Sequence, residues 1–260
     1  MEETSVKQCC AAFYGSDFAR LLLGESFHPG GTRLTGRLGS LLNLGPGSHV
    51  LDVAAGRGTS AFYLAETVGC EVTGVDLSDE NIRIATAEAG RLALTGKVSF
   101  QPGDAETLRF AGDTFDAIVC ECAFCTFPNK PLAAREFHRV LKPGSQLGLS
   151  DLTRTRELIP ELEGLLSWIA CIGGALPVER YTTLFEQAGF EISSVEDHND
   201  SLAEMVRQIQ AKLLGAEIAV GLKKLALPGV DFSIAKRFAH AALEAANSGS
   251  LGYAVIIARK

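Results

Sequence analysis

The chain reads as an α/β protein, a doubly wound and mostly parallel sheet of seven strands with a helical lead-in and a helical insertion before the last strand. Two observations predict this. Short β-branched runs alternate with helical patterns from Ser48 to Glu196, the signature of repeated βαβ units. A glycine-rich turn follows the first such run, where a strand must hand over to a helix.

The elements follow in order. Residues 1–46 form the lead-in, broken by a loop at Phe27-His28-Pro29-Gly30-Gly31, after which Leu34, Leu38, Leu41 and Leu42 recur at helical spacing. Gly45-Pro46-Gly47 is a turn. A cofactor-binding core then spans 47–200. Its first strand is Ser48–Val53, followed by a helix over Ser60–Thr67 and a second strand at Glu71–Val75. Ser78 is a candidate N-cap for a helix to Gly90. Strands at Val98–Gln101 and Phe115–Cys120 come next. The amphipathic helix Lys130–Leu141 stops at Lys142-Pro143-Gly144, and Gln146–Asp151 is a fifth strand. Tyr181–Ala188 is a helix closed by Gly189, and Phe190–Glu196 a sixth strand. Residues 201–246 are helical throughout, too long for a plain connection, and so form an insertion that caps the site or supplies a homodimer contact. Residues 250–260 carry the last strand, making one domain of the whole.

Composition bounds the function. With 47 % apolar residues the chain buries a sizeable core. A net charge of −7 excludes a broad nucleic-acid footprint, which needs a basic face. No run approaches the roughly 18 apolar residues of a membrane span, so no membrane partner is expected. The acidic start and an odd count of seven cysteines point to the reducing cytoplasm, and a small molecule is the expected partner.

The chemistry is written first between Val50 and Asp76. Gly56 and Gly58 let backbone approach a ligand, and the helix that follows offers free N–H groups. Asp76 ends the second strand 18 residues after Gly58, where a carboxylate can accept two ribose hydroxyls. Thr59-Ser60-Ala61 breaks the dinucleotide fingerprint. Asp52, four residues before Gly56, would repel a pyrophosphate but suits a cationic amino-acid tail.

Here the sequence resembles the class I S-adenosylmethionine-dependent methyltransferases, over about residues 45–200, which implies a Rossmann-like methyltransferase fold. Gly103-Asp104-Ala105-Glu106 resembles the family's adenine-binding stretch, with Asp104 at the adenine amino group. Phe115-Asp116-Ala117-Ile118-Val119 resembles its fourth strand, and Arg139 to Gly144 its helix-to-strand turn. The resemblance implies S-adenosylmethionine as cofactor and Asp52, Ala54, Gly56, Gly58, Asp76, Leu77, Asp104, Ala105, Glu121 and Tyr14 as its site. Ala54-Ala55 departs from the family's usual Gly-Cys or Gly-Ser, a change expected to alter packing more than binding. Arg57 is expected to be solvated.

The acceptor is written in the cysteines. Cys120 and Cys122 point to one face if their strand continues. Asp116 to Phe127 and Cys171 to Leu176 resemble arsenite methyltransferases, whose matching cysteines bind trivalent arsenic. Carried over, Cys122 and Cys171, with Cys10 in place of a third thiol, hold a thiophilic acceptor whose lone pair attacks the methyl. That family's cysteine in the glycine loop is missing, and Cys125 is extra. Methylation of an organic small molecule at O, N or C is the alternative, with His28, Glu121 or Asp151 as proton acceptor. A structural zinc on Cys120, Cys122, Cys125 and another thiol is a third reading. Cys70, His138 and His240 read as structural, and Trp168 as a wall of the acceptor pocket or plain core.

Overall fold

A computed structural model describes all residues except 1–12, 15, 25, 226, 228 and 229, with the side chains of Asp17 and Leu165 also outside the description. Cys9 and Cys10, and with them the third thiol expected from the sequence, lie outside the described residues.

The lead-in supplies helices α1 (Asp17–Leu23) and α2 (Gly31–Leu41). Leu34 and Leu38 of α2 are buried against the sheet, where the closest approach is to Gly148; a Cβ there would sit 2.7 Å from Leu38. Strand β1 (His49–Val53) is central and pairs in parallel with β2 (Glu71–Asp76) and β4 (Phe115–Glu121). Helix α3 (Thr59–Tyr63) runs into a π turn at Leu64–Val68 that Gly69 ends in the left-handed region. Ser78 accepts the Asn81 N–H at 3.3 Å and starts α4 (Asp79–Arg91), whose acidic first turn complements the helix dipole. Strand β3 (Val98–Pro102) pairs with β2. Asn129 caps α5 (Lys130–Val140) by accepting from Leu132.

Strand β5 (Leu141–Arg154) is longer than its apolar run suggests, because β7 (Leu251–Arg259) pairs with it antiparallel from Gln146 to Arg154. Two short turns of helix lead on, Pro160–Leu162 and α6 (Leu165–Ile169), then α7 (Val178–Gln187) and β6 (Glu191–Asp197). The insertion is a helical hairpin, α8 (Asn199–Gly221) and α9 (Phe232–Asn247), tied by Lys236 on Glu217 (2.6 Å) and by Gln210 on the Ala239 carbonyl (3.1 Å).

The sheet order is β3-β2-β1-β4-β5-β7-β6. It reverses between β1 and β4, so the carboxyl ends of these strands border a crevice, the usual ligand position in such sheets. One apolar core lies on the face covered by α2, α3, α8 and α9, and the other on the face covered by α5 and α7. Among the described residues no helix is long and apolar enough to cross a membrane.

Candidate active site

Asp52 lies inside β1, its side chain aimed from the strand end into the crevice. It is 3 % exposed, and its Oδ2 is buried without a hydrogen-bond partner. Burial, with the charges of Glu121 and Asp76 added, holds this carboxyl well above the usual carboxylate range. An orphaned buried carboxylate oxygen is costly unless a donor meets it. A cationic amino group is the donor that fits, and by its charge it would restore the ionised form.

Asp76 ends β2 and is already well held: Oδ2 accepts the Gly56 N–H (2.8 Å), and Oδ1 accepts Ser78 N–H (2.9 Å) and Asn81 Nδ2 (3.2 Å). Burial raises its pKa and these three donors pull it back. Gly56 and Gly58 both have positive φ, 55° and 86°. So does Ala54, at 60°, which is the physical cost of its departure from glycine: the change touches backbone conformation rather than packing. Leu77, 45 % exposed, joins Gly103, Asp104 and Ala105 at the far end of the same cavity. Asp104 Oδ1 accepts the Glu106 N–H at 3.0 Å.

Arg57 is not simply solvated. Its guanidinium donates to the Ser16 carbonyl at 3.2 Å, tying the glycine turn to the start of α1. Glu121, at the end of β4, is buried and accepts the Ser60 hydroxyl (2.6 Å) and the Thr35 hydroxyl (3.0 Å). His28 Nε2 lies 3.6 Å from Glu121 Oε2, and His28 Nδ1 lies 3.3 Å from the Pro29 carbonyl. The network continues from Glu121 to Ser150 (3.4 Å) and from Ser150 to the Tyr253 hydroxyl (3.0 Å). His28, Asp52, Ser60, Asp76, Glu121 and Tyr14 all line one cavity. Thr35, Ser150 and Tyr253 were not legible as site residues, since they come from a helix and two strands distant in sequence.

A second cavity, of about 490 Å³, lies beside the first. Its walls are apolar side chains of α1, α6, α8 and α9, among them Leu22, Ile169, Leu202, Leu213 and Phe238. Tyr14, Phe27 and Cys122 line both cavities and form the junction.

The cysteines sort differently from the sequence reading. β4 ends at Glu121, and Cys122 takes a left-handed φ of 53°, so Cys120 and Cys122 do not share a face. Cys120 is fully buried in the core beneath α5 and α7, and Cys70 in the opposite core. The Cys171 thiol interacts with both the Cys122 and the Cys125 thiols. Cys171, also left-handed at 61°, directs its thiol to the Cys122 carbonyl (3.3 Å) and lies 3.1 Å from the Tyr14 hydroxyl. Interactions with Cys122, Cys125 and Tyr14 bring its pKa down, whereas that of Cys122 rises through its interaction with Cys171 and through burial. Among the described residues no group of three or more His, Cys, Asp or Glu could hold a metal ion, which leaves the zinc staple without a site there.

Asp151 lines neither cavity. It is buried, with Oδ2 accepting Cys125 N–H (2.7 Å) and Oδ1 accepting Leu152 N–H (2.8 Å), and burial raises its pKa to about 7. Trp168 packs on Gly173 and Gly174 and is not among the residues that line the second cavity; a Cβ on Gly174 would sit 2.9 Å from its ring. His138 stacks edge-on against Phe190, and His240 is exposed beside Glu244.

Residues 44–189 match the family model described as "Methyltransferase domain". The chain is 29 % identical to the O-methyltransferase resE of Aspergillus sclerotiorum, over 88 % of this chain and 81 % of that protein. It is 35 % identical to an arsenite methyltransferase of Aquipseudomonas alcaligenes, over 61 % of this chain and 49 % of that one. Its fold superposes on phosphoethanolamine N-methyltransferase 2 of Haemonchus contortus, solved with S-adenosylhomocysteine, with a TM-score of 0.83 at 17 % identity, covering 98 % of this chain and 60 % of that chain. The chain thus belongs to the methyltransferase domain family and is an S-adenosylmethionine-dependent methyltransferase.

Proposed function

We propose that this enzyme methylates an apolar organic small molecule at a hydroxyl group. The observation that carries the reading is the junction: an apolar cavity roofed by the α8–α9 hairpin opens at Tyr14, Phe27 and Cys122 onto the cavity that holds the carboxylates. An acceptor in the second cavity presents one polar end there and buries the rest, so its affinity comes from apolar area.

The donor supplies an electrophilic methyl on a sulfonium sulfur. The chain's own residues do the rest. Asp52 takes the amino group of the donor's tail, for which its orphaned Oδ2 is suited. Asp76 holds the ribose with the oxygen capacity that three N–H donors leave free, and Asp104 and Leu77 flank the adenine. Gly56 and Gly58 let the backbone close on the tail. In the tautomer whose Nδ1–H donates to Pro29, His28 presents Nε2 as a base, and the Glu121 carboxylate 3.6 Å away stabilises the imidazolium formed when it receives the hydroxyl proton. Tyr14 and Cys122 stay neutral at the junction, which keeps the nucleophiles nearest the donor from being methylated themselves.

A thiophilic acceptor such as trivalent arsenic is the second reading, favoured by the interaction of the Cys171 thiol with those of Cys122 and Cys125. It requires those thiols to rearrange, or Cys10 to join them, since they do not now surround a common centre.

Labelled donor offered to a panel of apolar alcohols and, separately, to arsenite with glutathione tests the choice. Label in the alcohols, reduced about 10²–10⁴-fold by His28→Gln with donor affinity kept, is the expected result. Label on arsenic, lost in Cys122→Ser and untouched by His28→Gln, would establish the second reading instead.

A further inference from the structure

Between Gln210 and Arg237 the chain carries five Lys and Arg against two carboxylates, a local balance of +3 in a chain of net −7. The two carboxylates are already engaged: Glu217 pairs with Lys236, and Asp231 caps α9 by accepting the Ile234 N–H at 3.0 Å. Lys223 and Lys224, just past the end of α8, are exposed. Beside them Leu214, Ile218 and Leu222 recur every four residues, so they share one face of α8, at 53 %, 54 % and 62 % exposure. Ile234, 45 % exposed, is both a surface residue and a wall of the apolar cavity, so that cavity reaches the surface at this same tip.

We infer that the tip of the α8–α9 hairpin docks on an anionic lipid surface, from which the apolar acceptor enters its cavity. The exposed leucine and isoleucine stripe would sink into the headgroup boundary and the lysines would meet anionic headgroups, the two signals that peripheral binding requires. Together they explain why a net-acidic chain concentrates cations and exposed apolar side chains at the mouth of a cavity for an apolar ligand. The expectation of no membrane partner rests on the absence of an apolar span, which does not report a local patch. This inference rests on the apolar-acceptor reading, but its test needs no acceptor.

The test is flotation of the full chain with vesicles of phosphatidylcholine containing phosphatidylserine, against pure phosphatidylcholine. The wild type is expected to float with the anionic vesicles, less so as salt is raised. Lys223→Glu with Lys224→Glu, and separately Ile218→Glu with Leu222→Glu, should each lower the bound fraction about tenfold or more with donor binding unchanged. A wild type that stays unbound, or variants that float as it does, would overturn the inference. So would an unbound wild type that is a dimer and becomes monomeric in Ile218→Glu with Leu222→Glu, since the stripe would then be a self-association face. Failure to float with alcohol methylation intact removes only the docking; flotation without methylation of any apolar alcohol removes only the acceptor reading.

Discussion

The Tyr14 hydroxyl donates to the Ile169 carbonyl at 2.8 Å and lies 3.1 Å from Cys171 Sγ, clasping the segment before α1 to the end of α6. These two segments wall the apolar cavity where it meets the donor cavity. Tyr14→Phe removes both contacts. It is expected to cost about 1 kcal/mol of stability. It should also raise the pKa of the Cys171 thiol, which contact with the Tyr14 hydroxyl helps to hold down. The pH dependence of Cys171 alkylation, followed by mass spectrometry, would then shift upward; an unchanged profile would show that Tyr14 does not tune this thiol.

Asp52 makes donor binding depend on pH. Its carboxyl is held above the usual range in the free enzyme, and a bound ammonium favours its ionised form, so donor binding releases a proton. Affinity for S-adenosylmethionine should therefore rise with pH until Asp52 is ionised in the free protein. In Asp52→Asn it should fall about tenfold or more and lose that slope. Calorimetry in two buffers of different ionisation enthalpy reads the proton directly.

Ala54→Gly is expected to stabilise the protein. A left-handed alanine costs about 1–2 kcal/mol, and glycine gives back roughly 0.4–1 kcal/mol through the entropy of the unfolded chain. The net gain is up to about 1.6 kcal/mol in chemical denaturation.

How far the sequence reached follows from the range of the forces involved. The glycine turn, Asp52, Asp76 and the alternation of strands and helices in the core are set by local period and turn chemistry, and Asp52, Gly56 and Asp76 line one cavity. The length of β5 depends on pairing with β7, a hundred residues away, and no local pattern carries it. Cys120 and Cys122 would share one face only if their strand continued, and the strand ends at Glu121 with a left-handed turn at Cys122. Arg57 reaches back to Ser16 and Trp168 turns onto Gly173 and Gly174, contacts that composition cannot announce. The apolar cavity was the least legible feature. Its walls come from four helices, and each contributes residues that on their own read only as core.

Asp151 gives a pH effect of unusual sign. Its folded pKa of about 7 lies above the ordinary carboxyl value, so the folded state binds the extra proton. Stability is fullest below the unfolded pKa, near 4, and falls as pH rises toward 7, by at most about 1.4 kcal/mol per pH unit from this group. Denaturation of wild type and Asp151→Asn across that window should show the slope flattened in the variant. Parallel slopes would mean that Asp151 is already ionised in the folded protein.

Everything proposed for the acceptor depends on its binding in the cavity under the α8–α9 hairpin. Ala239 is 5 % exposed and lines that cavity without touching the donor side. The most direct measurement compares methyl transfer to apolar alcohols with donor affinity in Ala239→Trp, whose indole would fill the space. Transfer is expected to fall at least about a hundredfold while S-adenosylmethionine binds as in the wild type. Undiminished transfer by a correctly folded Ala239→Trp would contradict it.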